Sequence, residues 1–343
     1  MKNILIVRTD RLGDVLLTTP VSTALRELVP GARISWLVRP YTAPLLENNP
    51  DVDRILLDEG EPAGRLAERI GEGRFDAAIV AYPRWRIVRA LWLARVPVRI
   101  GPANKIYCVL LNRRLRQKRS RGGRHEADCN LDLLAPLGAP FKRYPTKYVA
   151  TDDERTAARR MLGAMGVSGS RPVAILHPGS GGSSARWPLE HFAALGDALL
   201  ADGCDLVVTA GPGEDHRSGM AAVMRRAPKF IPPGSVSLRE LAAILSWGDL
   251  VAANSTGPLH LAVALGIPTV SIYSSLPTRH PARWGPYPAY VEGSGEHRVL
   301  CAPLHGEGKR AIEDMGAVAV GEVLRHCREL LAGRPPRLGP TTK

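Results

Sequence analysis

Short apolar segments of strand length alternate with longer amphipathic segments along most of the chain. Residues 3–7 have strand length and are apolar from Ile4 to Val7, a polar turn follows, and apolar residues then recur at helical spacing from Val15 to Leu28. The same order predicts further strands at residues 33–38, 76–82 and 98–101 and helices at residues 63–70 and 87–94. Continuous apolar strands separated by helices are typical of a parallel sheet covered by helices on both faces.

The periodicity breaks near the middle of the chain and then begins again. Pro140 and Pro145 lie among basic residues, and a helix starting near Asp152 runs into a glycine-rich turn at residues 166–169. Beyond this turn, strands are predicted at residues 172–176, 205–210, 250–253 and 269–273 and helices at residues 189–202, 238–245 and 258–265. The pattern therefore predicts an α/β protein of two doubly wound, Rossmann-like domains facing a central cleft. We expect residues 1–150 in the first domain, residues 151–330 in the second and a disordered, proline-containing tail at residues 331–343.

The composition of the chain predicts a folded core and a positive net charge. The 343 residues are 45% hydrophobic, and 46 basic against 33 acidic side chains give a formal net charge of +13, which favours an anionic partner. The five cysteines are odd in number and scattered, so they suggest neither a disulfide framework nor a metal site. No apolar run approaches the length of a membrane span or of a signal-peptide core. We expect a soluble, cytoplasmic protein.

The loop after the first predicted strand, residues 8–14, contains a candidate catalytic carboxylate. Gly13 permits a tight turn, and Asp14 stands at the start of the following helix. One interpretation is an aspartate that caps the helix N-terminus. The other is a general base, because a carboxylate at a strand-to-helix junction in a doubly wound sheet can accept the proton of an attacking hydroxyl.

Two loops of the second half have the composition of anion sites. Residues 177–188 follow a predicted strand and combine glycines and serines with Arg186, so backbone N–H groups and a guanidinium could bind phosphate; simple flexibility is the alternative. Residues 254–260 place Pro258 at the start of a helix whose first N–H groups, near Thr256 and Gly257, attract anions. For His260 alone, a packing role is the simpler interpretation. Neither loop matches a Walker phosphate loop or a GxGxxG fingerprint.

At these three loops together the chain resembles the heptosyltransferases, glycosyltransferase family 9, of the GT-B fold. The resemblance rests on Leu-Gly-Asp at residues 12–14, His-Pro-Gly-Ser at 177–180 with Arg-Trp-Pro at 186–188, and Ser-Thr-Gly-Pro-Leu-His at 255–260. It extends to about Leu330. It implies inverting, metal-independent and cofactor-free transfer of heptose from ADP-heptose to the lipopolysaccharide inner core, with Asp14 as the base. Implied donor-binding residues are Ser180, Arg186, Glu214, Asp215, Ser255, Thr256, Gly257 and His260.

Two positions depart from the family pattern. Ala185 stands where the family often has a lysine, and Ser255 where it often has an acidic residue. The departures leave open a GT-B transferase that uses another nucleotide sugar for a different surface glycan, or a non-catalytic nucleotide or glycan binder.

A basic segment of the first half fits an anionic acceptor. Residues 84–124 contain thirteen arginines and lysines and no acidic residue. A phosphorylated, lipid-linked oligosaccharide at the inner membrane surface would be attracted to such a segment, whereas a solvated basic face is the alternative. The expected acceptor-binding residues are Arg11, Arg116, Arg119, Arg121 and Arg124, and tryptophans between the arginines could reach the membrane interface. Nucleic-acid binding is disfavoured because no recognised module is present, and we expect a monomer.

Overall fold

The computed structural model describes residues 1–119, 123–182, 184–214, 220, 224–225, 227–292, 296–306 and 312–332. The chain divides into two compact domains, Met1–Val149 and Ala150–Lys343. This division falls one residue before the boundary predicted after residue 150. No helix among the described residues is long and apolar enough to cross a bilayer.

The first domain is built around one parallel sheet. Its strands are β1 Asn3–Val7, β2 Arg33–Val38, β3 Arg54–Leu57, β4 Ala77–Val80, β5 Val98–Pro102 and β6 Arg113–Leu115. Its helices are α1 Leu12–Leu16, α2 Thr19–Leu28, α3 Ala63–Glu72, α4 Trp85–Leu93 and α5 Glu126–Leu131, with 3₁₀ turns at Pro40–Leu45, Ile106–Leu110 and Asp132–Leu137. The strand order is β3-β2-β1-β4-β5-β6, so the direction of winding reverses between β1 and β4.

The second domain has the same topology. Its strands are β7 Val173–His177, β8 Asp205–Val208, β9 Lys229–Phe230, β10 Leu250–Asn254, β11 Thr269–Ser274 and β12 His297–Ala302, with an antiparallel pair β13 Leu304–His305 and β14 Ile312–Glu313. Its helices are α6 Asp152–Ala164, α7 Leu189–Ala201, α8 Leu238–Leu245, α9 Gly257–Ala264, α10 Pro281–Trp284, α11 Ala289–Glu292 and α12 Val320–Ala332, with a 3₁₀ turn at Met315–Ala317. The parallel sheet has the order β12-β11-β10-β7-β8-β9, and its winding reverses between β7 and β10.

Burial explains why the inner strands read as continuous apolar runs. Ile4, Leu5, Ile6 and Val7 of β1 are all fully buried, although successive side chains of a strand point to opposite faces. Both faces of the sheet are therefore covered, as the sequence pattern predicts for a doubly wound domain. The predicted fold class is confirmed in each domain.

The differences from the prediction concern the margins of the sheets and three helical segments. The predicted strands are present within a few residues, but β3, β6, β9 and β12 were not foreseen, and they are the four edge strands. The helical pattern from Val15 to Leu28 is two helices, α1 and α2. Helix α5 was missed because its sequence is polar. Helix α12 was also missed, and it continues to Ala332, two residues into the predicted tail; residues 333–343 lie outside the described residues.

Gly101 allows a close approach between β5 and β4. A Cβ built on Gly101 would lie 2.9 Å from the Val80 carbonyl oxygen and 2.8 Å from a methyl group of Leu111, whereas a Cβ on Gly64 in α3 would meet nothing within 4 Å. We expect Gly101→Ala to lower the free energy of unfolding of the first domain by about 1–3 kcal/mol through overpacking. Gly64→Ala should leave it unchanged or raise it by up to about 1 kcal/mol. Urea unfolding of the full-length chain measures both, and equal stabilities of the two variants would contradict the packing described.

Candidate active site

The carboxyl end of β1 carries a buried guanidinium. Arg8, the first residue after β1, is only 2% exposed. Its Nε donates to Asp10 at 2.8 Å, and its Nη2 donates to Oδ1 of Asp14. Its Nη1 donates to Glu126 at 3.1 Å. Three carboxylates thus surround one arginine at the point where the winding of the sheet reverses.

Helix α5 supplies the far side of this cluster. All six of its residues are buried, and Glu126 is 2% exposed. Arg119 donates to the same Glu126 oxygen as Arg8 does. Asn130 accepts from both arginines and donates to the Leu17 carbonyl at 3.1 Å. Glu126 and Asn130, two of the polar residues that leave this helix without an apolar pattern, are therefore buried because they bind Arg8.

Burial and neighbouring charges determine how Arg8 and Asp14 titrate. Burial raises the pKa of Asp14, Arg8 opposes that rise, and Asp10 and Glu126 add to it, which brings the pKa to about 6. For Arg8, burial alone would lower the pKa, but the carboxylates of Asp10, Asp14 and Glu126 outweigh it and raise the pKa above its usual value. Arg8 is therefore always charged, whereas Asp14 changes its protonation state just below neutral pH.

The capping interpretation of Asp14 is wrong. The N-cap of α1 is Arg11, whose backbone is extended, and Asp14 is the third residue of the helix. Its Oδ1 accepts from Arg8, and Oδ2 accepts no hydrogen bond from the described part of the chain. The side chain is 14% exposed. One carboxylate oxygen is thus fixed in place while the other is open to a proton donor.

In the second domain the two predicted anion loops meet. They follow β7 and β10, which are neighbouring strands on either side of the reversal. Buried Asn254, at the end of β10, accepts from the Trp187 N–H at 2.9 Å and donates to the Pro178 carbonyl at 2.7 Å. Trp187 itself is 1% exposed and donates its indole N–H to the Val318 carbonyl at 2.9 Å. Asn254 therefore joins both ends of the loop after β7 to the end of β10.

The loop after β7 already binds an anionic group, the carboxylate of Glu214. Oε1 of Glu214 accepts from the backbone N–H groups of Ser180 at 2.8 Å and Gly181 at 2.7 Å, and Oε2 accepts from Gly211 at 3.3 Å. A Cβ on Gly179 would lie 1.8 Å from that carboxylate, so this approach requires glycine. Convergent N–H groups of this kind form a concave site for carboxylate or phosphate oxygens.

The start of α9 provides further donors beside this loop. Thr256 is the N-cap of α9, and Gly257 and Pro258 form its first turn. The Thr256 hydroxyl is buried and has no hydrogen-bond partner among the described residues. Ser255 is half-buried and His260 is buried one turn into the helix. The positive end of the α9 dipole and a buried hydroxyl therefore lie at one place.

The remaining predicted donor residues are less defined. Arg186 is exposed and forms no ion pair with a described carboxylate, and Ala185 packs partly against the core. Asp215 lies outside the described residues.

The predicted acceptor residues do not form one exposed basic face. Arg119 is 8% exposed and belongs to the Glu126 cluster, so its prediction as part of a docking face is corrected. Arg124 pairs with Asp132 at 2.7 Å and lies over the Phe141 ring. Arg11 and Arg116 are exposed without an ion pair to a described residue, and Arg121 lies outside the described residues.

Arg8, Glu126 and Asn130 were not singled out from the sequence. The sequence feature that could have identified Arg8 is its position directly after an apolar strand, because a charged residue buried there needs partners. No local signal marks Glu126, because 118 positions separate it from Arg8.

Comparison with known proteins shows to which family the chain is similar. The family model "Glycosyltransferase family 9 (heptosyltransferase)" matches residues 63–310. A protein of Haemophilus influenzae named "Putative glycosyltransferase" is 31% identical over 91% of this chain and 93% of its own length. Lipopolysaccharide heptosyltransferase 3 of Escherichia coli is 25% identical over 94% of this chain and 96% of its own.

A solved structure shows the same fold. It is the ADP-heptose lipopolysaccharide heptosyltransferase II of Escherichia coli, with a TM-score of 0.79, 21% identity, and coverage of 97% of this chain and 99% of that one. Because the family model spans most of the chain and a relative above 30% identity covers nearly all of it, the chain belongs to glycosyltransferase family 9, the heptosyltransferase family.

Proposed function

We propose that this glycosyltransferase moves a heptose from ADP-heptose to the lipopolysaccharide inner core, with inversion at the transferred carbon and without a metal ion. The observation that carries the proposal is the Asp14 carboxylate, held by Arg8 through one oxygen and open at the other. A general base must reach the proton it removes and must be ionised at the working pH. With a pKa of about 6, Asp14 is mostly ionised at neutral pH.

The first domain would bind the acceptor and the second the donor. The N–H groups of Ser180 and Gly181, the Thr256 hydroxyl and the start of α9 form the proposed diphosphate site, and His260 would border it. The diphosphate would take the N–H groups that Glu214 occupies, leaving Glu214 and Asp215 to face the nucleoside. Fixed donors at a leaving diphosphate stabilise the charge that develops in the transition state. Arg186, Ser255 and Gly257 complete the proposed donor set.

The proposed acceptor is an anionic, lipid-linked oligosaccharide at the inner face of the cytoplasmic membrane. Arg11 and Arg116 are exposed and have no described carboxylate partner, so they are available to anionic groups. The similarity to lipopolysaccharide heptosyltransferase 3 supports this class of acceptor.

A second candidate is transfer from another nucleotide sugar to a different surface glycan. Ala185, which packs partly against the core, favours it, since no cation stands at that position to meet a leaving diphosphate. Screening purified protein with several nucleotide sugars distinguishes the two candidates, and inclusion of EDTA tests metal independence.

Replacement of the proposed base tests the reaction directly. Asp14→Asn keeps a similar shape but cannot accept a proton, so we expect acceptor-dependent release of ADP from ADP-heptose to fall about 10²–10⁴-fold. Asp10→Asn is the matched control, because Asp10 also binds Arg8, and its rate should stay within about tenfold of wild type. Undiminished release by Asp14→Asn would remove Asp14 from the mechanism.

The acid limb of the pH profile should report Asp14. Because its pKa is raised to about 6, protonation below that pH removes the base, and kcat/KM should fall about tenfold for each further unit. Glu126→Gln removes a negative charge that raises the pKa of Asp14, so the limb should move to lower pH. Asp128→Asn, on the same helix but paired with Arg143, should leave the limb where it is. A limb unmoved by Glu126→Gln would show that another group titrates.

The Thr256 hydroxyl should matter for the donor and not for the fold. Thr256→Val removes a buried hydroxyl that pairs with no described residue, so the donor KM should rise about two- to tenfold without loss of stability. Thr269→Val is the control, because that hydroxyl bonds His297 at 3.0 Å at the start of β11. It should lower thermal stability and leave the donor KM unchanged. The reverse pattern would assign Thr256 a structural role.

A further inference from the structure

Helix α4 exposes two tryptophans on one face. Trp85 is 52% and Trp92 51% exposed, while the residues between them that face the sheet are fully buried. Trp85, Arg89 and Trp92 are spaced by four and three residues, so they form one stripe along the helix. Leu93, 40% exposed, extends the stripe at its end.

The 3₁₀ turn Ile106–Leu110 continues this apolar surface. Ile106 is 92% and Val109 65% exposed, and residues three apart in a 3₁₀ turn lie on the same side. The turn packs against α4, and the Tyr107 ring meets the Trp85 ring edge-on at 6.3 Å. We call the exposed side chains of Trp85, Trp92, Leu93, Ile106 and Val109 the α4 surface.

This concentration of exposed apolar side chains is unusual for a protein surface. Ten large apolar residues are exposed among the described residues, and six of them lie between residues 82 and 109. Scattered single residues need no explanation, but a contiguous group marks a contact with a protein, a membrane or a ligand.

The charges around the α4 surface are of one sign. No acidic residue occurs between Asp76 and Glu126. The basic side chains that are exposed beside the α4 surface and form no ion pair with a described residue are Arg84, Arg89, Arg95 and Lys105. By contrast, Arg86 pairs with Asp58, and Arg99 donates to backbone carbonyls. The exposed arginines therefore remain available to an anionic partner.

We propose that the α4 surface docks this protein on a bilayer of anionic phospholipid. Tryptophan rings favour the boundary between headgroups and acyl chains, and Ile106 and Val109 would enter the acyl region beside them. The four basic side chains would contact the anionic headgroups. The inference agrees with the lipid-linked acceptor proposed above, but the docking itself requires neither donor nor acceptor.

Other occupants fit less well. A second copy would bring two strongly cationic surfaces together, which is repulsive. Nucleic acid offers phosphates to the arginines, but aliphatic side chains such as Ile106 and Val109 would have to unstack bases in order to be buried, which a bilayer does not require.

Vesicle binding by the full-length protein tests the inference. We expect it to sediment with vesicles of phosphatidylcholine containing phosphatidylglycerol and much less with phosphatidylcholine alone. The pair Trp92→Ser with Ile106→Ser should weaken binding by about tenfold or more, because apolar area then stays in water. The pair Arg89→Gln with Arg95→Gln should weaken it about fivefold per charge.

Matched controls replace similar side chains elsewhere. Ile312→Ser changes an apolar residue of β14 that is 70% exposed, and Arg33→Gln with Arg54→Gln removes two exposed charges at the starts of β2 and β3. Both should bind vesicles as wild type does. All variants should remain folded at the assay temperature, which thermal unfolding checks; only the variant with Trp92→Ser should unfold at a lower temperature, because about half of that ring is buried.

Three results would overturn the inference. Equal vesicle binding by the α4-surface variants and the controls would place the docking surface elsewhere. Displacement from anionic vesicles by equimolar duplex DNA would favour a nucleic-acid surface. Loss of a dimer in sedimentation velocity, confined to the α4-surface variants, would indicate self-association. Because the assay contains no sugar donor, failure of the proposed transfer reaction would not change its outcome.

Discussion

The parallel doubly wound sheet is the constraint on which the candidate site depends. In each domain the six strands of the main sheet run in the same direction, so every loop at their carboxyl ends lies along one edge. At the reversal of winding, between β1 and β4 and between β7 and β10, neighbouring loops leave in opposite directions and open a crevice for a ligand. Asp14 follows β1, and the two anion loops follow β7 and β10. The same topology used twice thus places a cluster of carboxylates in one domain and a group of convergent N–H donors in the other.

Buried charges determine how the carboxylates around Arg8 titrate. Arg8 and Arg119 supply two positive charges, and Asp10, Asp14 and Glu126 supply three negative ones, so one negative charge is in excess when all are ionised. Such an excess in a poorly solvated place favours a proton on one carboxylate. Asp14, bonded through one oxygen only, is where the pKa rises to about 6. The arrangement that fixes Asp14 in space is therefore also what adjusts its basicity.

The inner strands and the motif loops could be predicted from sequence, whereas the edges of the sheets could not. Inner strands such as β1 and β10 are buried on both faces and read as apolar runs. Edge strands are only partly buried: β6 is Arg-Arg-Leu, with both arginines exposed, and β9 has just two residues. The local sequence pattern does not predict an edge strand, because the strand forms by pairing with a neighbour that is already in the sheet.

Local sequence pattern likewise predicts some of the candidate site residues and not others. Asp14, Thr256 and the loop after β7 were found from their positions after apolar strands. Glu126 and Asn130 were not, because their role is a contact across more than a hundred residues with Arg8. Arg119 was wrongly predicted to lie on an exposed basic face, because a run of arginines in the sequence does not show which side chain is buried.

The most direct test of the account is the identity of the product formed with ADP-heptose and a truncated lipopolysaccharide acceptor. Mass spectrometry of the acceptor, followed by NMR of its new anomeric centre, gives both the group transferred and its configuration. We expect the gain of one heptosyl residue with inverted configuration. An acceptor that ADP-heptose leaves unchanged, but that gains a sugar when another nucleotide sugar is supplied, would contradict this expectation, and so would retention of configuration.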